Sequence, residues 1–78
     1  MAYTIRLTRE VERQLRRMVK HQLIPDRLAP RIDALAENPR PSGCKKLTGH
    51  GTYYRIRIGD LRVVYQVDDE CAEVLVLV

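Results

Sequence analysis

The spacing of apolar positions changes period along this chain, and each change marks an element. From Tyr53 to Val67 the stretch YYRIRIGDLRVVYQV alternates with period two on either side of Gly59-Asp60. Gly-Asp between two β-branched runs is a two-residue hairpin signal, with Gly supplying a positive φ at the first turn position. Such a loop sets the register: Ile58 faces Leu61, Arg57 faces Arg62, Ile56 faces Val63, Arg55 faces Val64 and Tyr54 faces Tyr65. Side chains alternate faces along a strand. One face is therefore Tyr54, Ile56, Ile58, Leu61, Val63, Tyr65 and Val67, which is a core face. The other is Tyr53, Arg55, Arg57, Arg62, Val64 and Gln66.

Upstream, Tyr3 to Leu7 alternates and predicts a short first strand. Thr8 is placed to cap a helix, with Glu10 and Glu12 in the first turn, where the helix dipole favours acids. Val11, Leu15, Met18 and Val19 recur at helical spacing, and Arg9, Arg13, Arg16, Arg17 and Lys20 cover most of the remaining surface. That surface serves solubility, with Glu12 and Arg16 paired at i,i+4, or it binds a polyanion. HQLIPDRLAP is a loop leading to a second helix, with Pro30 in its first turn. This helix carries Ile32, Leu35 and Ala36 and is expected to end near Asn38, because Pro39 follows. NPRPSGC is a turn region, and KKLTGHGT a basic, glycine-flanked loop into the hairpin. The final AEVLVLV is apolar on both faces from Val74, the pattern of a central strand. A bare apolar end calls for a neighbouring strand, a partner, or further chain to cover it. The order is a strand, a two-helix hairpin and a three-strand antiparallel meander, an α+β class.

Composition narrows the function. Residues 1–78 read as one small domain, which buries only about 60% of its unfolded surface. With no Trp or Phe, the core must be Leu, Ile, Val and Tyr. The net charge is +4, unevenly spread: residues 1–67 hold all 14 Lys and Arg with six of the ten acids, and residues 68–73 hold the other four acids. The basic excess fits a nucleic acid or an acidic protein. Cys44 and Cys71 follow no metal or redox spacing and read as free thiols in a reducing cytoplasm. Arg6 and Arg9 interrupt any signal-peptide core, and no run is long enough to cross a membrane.

The arginines are the candidate chemistry. Arg57 sits directly opposite Arg62, and like charges so placed destabilise a sheet by about 0.2–1 kcal/mol. The hairpin face offers no acid to offset them. Either the guanidinium groups splay into water, or the cluster beside Tyr53 and Gln66 receives a polyanion, since Arg makes bidentate bonds to phosphate and stacks on bases. His50 is the histidine placed beside this cluster and is the nearest candidate for proton transfer.

ALAENPRPSGCKKLTG, YRIRIGDLRVVYQVDDE and VLVLV together resemble the RelE/ParE superfamily of toxins from type II toxin–antitoxin systems, on its RelE branch. The resemblance implies two helices packed on one face of a mostly antiparallel sheet. It implies a toxin that enters the ribosomal A site and cleaves mRNA by attack of the adjacent ribose 2′-OH, with no metal or cofactor, and that is held inactive by a cognate antitoxin. Arg55 and Arg57 match family positions that contact mRNA phosphates, where the best-known members carry lysines. Arg62 matches an arginine that stabilises developing charge. Lys45, Lys46, Gln66 and the helix cations Arg9, Arg13, Arg16, Arg17 and Lys20 are then expected to contact RNA or the ribosome.

The sequence departs from the family at its end. Family members continue past the last strand with a basic run and a tyrosine or histidine, whereas nothing follows Val78. Guanidinium stays protonated near neutrality and is no base. Proton removal is thus left to His50, Tyr53 or Tyr65, and Tyr65 is expected to face the core. Two other functions remain open: a ParE-like inhibitor of DNA gyrase that cleaves nothing, and a truncated toxin that only binds antitoxin.

Overall fold

The computed structural model describes residues 2–23, 25–47 and 52–77. Its elements are β1 (Thr4–Leu7), α1 (Arg9–Lys20), α2 (Leu28–Ala34), β2 (Lys45–Lys46), β3 (Tyr53–Ile58), β4 (Leu61–Asp68) and β5 (Glu73–Val76). The strands form one five-stranded sheet in the order β1-β5-β4-β3-β2. β3, β4 and β5 are the expected antiparallel meander, and β1 lies parallel to β5 on its far side.

The hairpin register follows from its two-residue turn. Ile58 pairs with Leu61, Arg57 with Arg62, Ile56 with Val63, Arg55 with Val64 and Tyr54 with Tyr65. Gly59 turns with φ +61°, the sign that an L side chain resists. Tyr54, Ile56, Ile58, Val63, Tyr65 and Val67 are buried and join Val11, Leu28 and Leu35 from the helical layer in one apolar cluster. Val74 and Val76 are buried in the same cluster. β5 is central, as its apolar run predicts: β1 and β4 take up its two hydrogen-bonding edges.

Thr8 caps α1, its Oγ1 accepting from the Val11 amide at 3.2 Å. The helix closes without a glycine. Leu23 N–H donates to Met18 C=O at 2.9 Å and Gln22 N–H to Val19 C=O at 3.1 Å, with Gln22 at φ +56°. That is the Schellman closure, with Gln in the left-handed position glycine normally takes. Val11 is buried and Leu15 packs against the core, but Val19 is 63% exposed. It lies about 80° around the helix from Val11, at the edge of a depression that it lines with Leu28, Ala29 and Ile32 of α2.

Two expectations change. α2 ends at Ala34 rather than near Asn38, because its last turn tightens: Leu35, Ala36 and Glu37 donate to carbonyls three residues back, at 3.0, 3.0 and 3.2 Å. Such 3₁₀-type bonds finish a helix where Pro39 prevents its continuation. KKLTGHGT is not wholly loop either, since Lys45 and Lys46 pair with Arg55 and Tyr54 as a two-residue edge strand.

The left-handed Gln22 gives a stability test. Gln22→Gly relieves a conformation that costs an L-residue about 1–2 kcal/mol, partly offset by glycine's greater unfolded-state freedom. The variant should gain about 0.5–1 kcal/mol, read as a higher urea midpoint at unchanged slope.

Candidate functional site

The two helices cover one face of the sheet and leave the other open. On the open face the register gathers four cations. Arg57 lies opposite Arg62, and Arg55 lies opposite Lys45 across the β2–β3 edge. Directly opposed residues sit about 5 Å apart and next-but-one residues about 7 Å apart. Arg57 and Arg62 are exposed and Arg55 is half-buried. Among the described residues the ion pairs are Arg6–Glu73, Arg16–Glu12 and Arg40–Asp69, and none involves these four cations.

The face nevertheless carries acids, which the hairpin alone did not reveal. β4 runs on to Asp68, which pairs with Glu73 of β5 on the same face. They lie about 20 Å along β4 from Arg62, too far to neutralise it. The open face is therefore polarised, cationic at the Gly59 turn and acidic at the opposite end.

The other expected residues fall in different places. Tyr53 and Gln66 oppose each other on the open face, two positions from Arg55 and Val64. Gln66 Nε2 donates to Thr52 Oγ1 at 3.4 Å. Lys46 is separated from Lys45, because its partner Tyr54 belongs to the core side. Arg9, Arg13, Arg16, Arg17 and Lys20 lie on α1, behind the sheet, and form a second basic surface rather than an extension of the first. Arg16 reaches Glu12 at 3.8 Å there. His50 lies outside the described residues. Tyr65 is fully buried, and its hydroxyl donates to the Pro39 carbonyl at 2.7 Å. Burial pushes its pKa well up, so it is no base at neutral pH. No group of three His, Cys, Asp or Glu among the described residues is arranged to hold a metal ion, and no helix there is long and apolar enough to cross a membrane.

One cluster escaped the sequence reading. Arg40, in the NPRPSGC turn, donates through Nη1 and Nη2 to both oxygens of Asp69 at 3.2 and 2.8 Å, and through Nε to the Tyr54 hydroxyl at 2.9 Å. Tyr3 donates to Asp69 Oδ1 at 2.7 Å. This clasp ties the Pro-rich turn to β3, to the β4–β5 turn and to the N-terminal segment. The segment it pins leads directly into Lys45. The only signal in the sequence was an arginine between prolines and an acid in a distant turn, which spacing cannot pair.

The family profile of the ParE toxin of type II toxin–antitoxin systems, parDE, matches residues 5–78, and the chain belongs to that family. Among solved structures it is similar to RelE in the archaeal RelE–RelB complex from Pyrococcus horikoshii OT3, with 29% identity and a TM-score of 0.80 over 99% of this chain and 91% of that one. It is also similar to a free arginine-to-alanine double mutant of E. coli toxin RelE, at 30% identity and TM-score 0.71 over 97% of this chain and 79% of that one. The RelBE2 toxin–antitoxin complex of Mycobacterium tuberculosis matches at 28% identity and TM-score 0.69, over 97% of this chain and 93% of that one. Curated proteins provide no significant match. The chain is thus a toxin of the RelE/ParE superfamily, with its likeness on the RelE side.

The clasp generates a pH test. Arg40 first, and then Tyr3, hold the Asp69 carboxyl below its ordinary value of 3.8. A depressed carboxyl contributes stability above its unfolded pKa and loses it as pH falls through the folded one. Asp69→Asn should therefore be less stable than the parent at neutral pH, and the gap should close below about pH 4, as read by urea melts across that range. The opposed arginines generate another. Arg62→Ala relieves a like-charge pair, so its stability should equal the parent's or exceed it by about 0.2–1 kcal/mol.

Proposed function

We propose that this chain is the toxin of a toxin–antitoxin module and a ribosome-dependent endoribonuclease that cuts mRNA in the A site, inhibiting translation in the cytoplasm. The observation that carries the proposal is the unpaired Arg57/Arg62 couple, with Arg55 and Lys45 beside it, on a sheet face left open by the helices. Two opposed arginines without acids cost a sheet about 0.2–1 kcal/mol, and a phosphodiester seated between them removes that repulsion.

In this reading Arg55 and Arg57 seat the RNA phosphates, and Arg62 stabilises charge gathering on the phosphoryl oxygens as the adjacent 2′-oxygen attacks phosphorus. The P–O5′ bond breaks, and the departing 5′-oxygen takes a proton from water, leaving a 2′,3′-cyclic phosphate and a 5′-hydroxyl. Guanidinium groups gathered on adjacent strands donate to the phosphoryl oxygens as that charge develops. The 2′-OH proton must pass to another group, since an arginine stays protonated. Tyr53 shares the open face, and His50 is the other candidate. Gln66 and Lys45 border the same track, while α1 and Lys46 offer cations to ribosomal RNA from other sides. A cognate antitoxin is the expected partner, supported by the RelE–RelB and RelBE2 complexes among the similar structures.

The profile match to ParE favours a second reading, a non-enzymatic gyrase inhibitor. Extracts separate the two: A-site cleavage is read by primer extension on stalled ribosomes, and gyrase by plasmid supercoiling. The parent should cleave and leave supercoiling untouched. Arg62→Ala should lose about 10²–10³-fold in cleavage, the scale for removing one preorganised donor, while staying folded. An Arg62→Ala protein as active as the parent, or inhibition of gyrase alone, overturns the proposal.

A further inference from the structure

The clasp around Arg40 stands at the root of the edge strand that brings Lys45 to the open face. Tyr54 and Tyr65 are register partners on β3 and β4, with stacked rings whose centres lie 6.0 Å apart. Between them they hold two successive residues of the incoming turn. The buried Tyr65 hydroxyl donates to the Pro39 carbonyl at 2.7 Å, and the Tyr54 hydroxyl accepts from Arg40 Nε at 2.9 Å. The Arg40 guanidinium also lies 5.2 Å from the centre of the Tyr54 ring and meets both oxygens of Asp69. An isolated exposed ion pair contributes little. This one is bidentate, and Tyr54 holds its guanidinium from a third side.

From that anchor to Lys45 the chain has little freedom. Pro41 has a fixed φ. Its carbonyl accepts from the Cys44 amide at 3.1 Å, closing a turn in which Gly43 takes φ +92°, the sign a type II turn requires at its third position. Cys44 packs against the core, and Lys45 follows, opposite Arg55. The direction given to Arg40 is thus passed on to Lys45. β2 has two residues and stands at the edge of the sheet. A pairing that short is marginal by itself, so its place depends on the turn behind it.

Resting on the RNA reading above, we infer that Arg40 is a positioning residue for RNA binding: held by Asp69 and Tyr54, it fixes Lys45 opposite Arg55, so that these two cations seat one phosphate. Directly opposed residues about 5 Å apart suit a phosphate, which offers an oxygen to each. Arg40 acts through Lys45 and does not itself touch RNA.

Two measurements on the full chain test this. Arg40→Lys keeps the charge but replaces a planar fork by a single ammonium. In hydrogen exchange the Leu47 amide, which donates to the Tyr53 carbonyl at 2.9 Å, should exchange about tenfold faster in this variant, beyond any change in the β5 amides. The second measurement is affinity for an uncleavable 2′-O-methyl RNA hexanucleotide over a range of salt. Lys45→Ala should weaken binding about tenfold, the scale of a hydrogen bond to a charged group, and lower the salt slope by about 0.7, the value for one phosphate contact on a single strand. Arg40→Lys should do the same although it removes no charge, and should add nothing in the Lys45→Ala background. An Arg40→Lys loss that is equal with and without Lys45, or Leu47 exchange that rises only in step with β5, overturns the positioning role. A hexanucleotide that the parent ignores, or that Lys45→Ala and Arg62→Ala bind as the parent does, overturns the RNA reading instead, and Leu47 exchange then decides separately whether Arg40 places β2.

Discussion

The two-residue turn at Gly59 is the constraint on which the rest of the structure depends. It allows one pairing of β3 with β4, and because side chains alternate, that pairing sorts both strands at once. Tyr54, Ile56, Ile58, Val63, Tyr65 and Val67 go to the core, and Arg55, Arg57 and Arg62 go to the open face. A slip of one residue would turn one strand over against the other, exposing three large side chains and burying guanidinium groups without partners. β4 pairs with β5 by its other edge, and β5 with β1, so one turn governs the face on which every long-strand side chain appears.

The same sorting creates the electrostatic problem that points to function. Opposed arginines are tolerated because both are exposed and water screens them. The four acids of residues 68–73 would have cancelled the cluster had they lain near it. Asp69 is instead taken by Arg40, and Glu73 by Arg6, at the far end of the sheet. The cations at the Gly59 turn are left available, and the face has direction, cationic to acidic.

The clasp around Arg40 supports that arrangement from the edge. It joins segments 3, 40, 54 and 69 through charged and phenolic groups. The turn it pins sets where β2 begins, and so where Lys45 meets Arg55. Behind the sheet, α1 presents its own basic surface. The two surfaces face away from each other, which suits a molecule that meets polyanion on more than one side.

Local chemistry settled much of this before any tertiary contact. Period-two alternation about Gly-Asp determines the hairpin, its register and the common face of the arginines, because strand geometry and turn type are short-range. The Thr8 cap, the Pro30 start of α2 and the central character of VLVLV are legible for the same reason. What only the tertiary structure decided is long-range or depends on space. The packing of α1 buries Val11 and leaves Val19 exposed. Edge pairing makes a strand of Lys45 and Lys46 and sends them to opposite faces. Helix packing puts the α1 cations behind the sheet. The pairing of Arg40 with Asp69, and that of Arg6 with Glu73, join segments far apart in the chain. No periodicity encodes such contacts, because they arise only when the folded sheet brings those segments together.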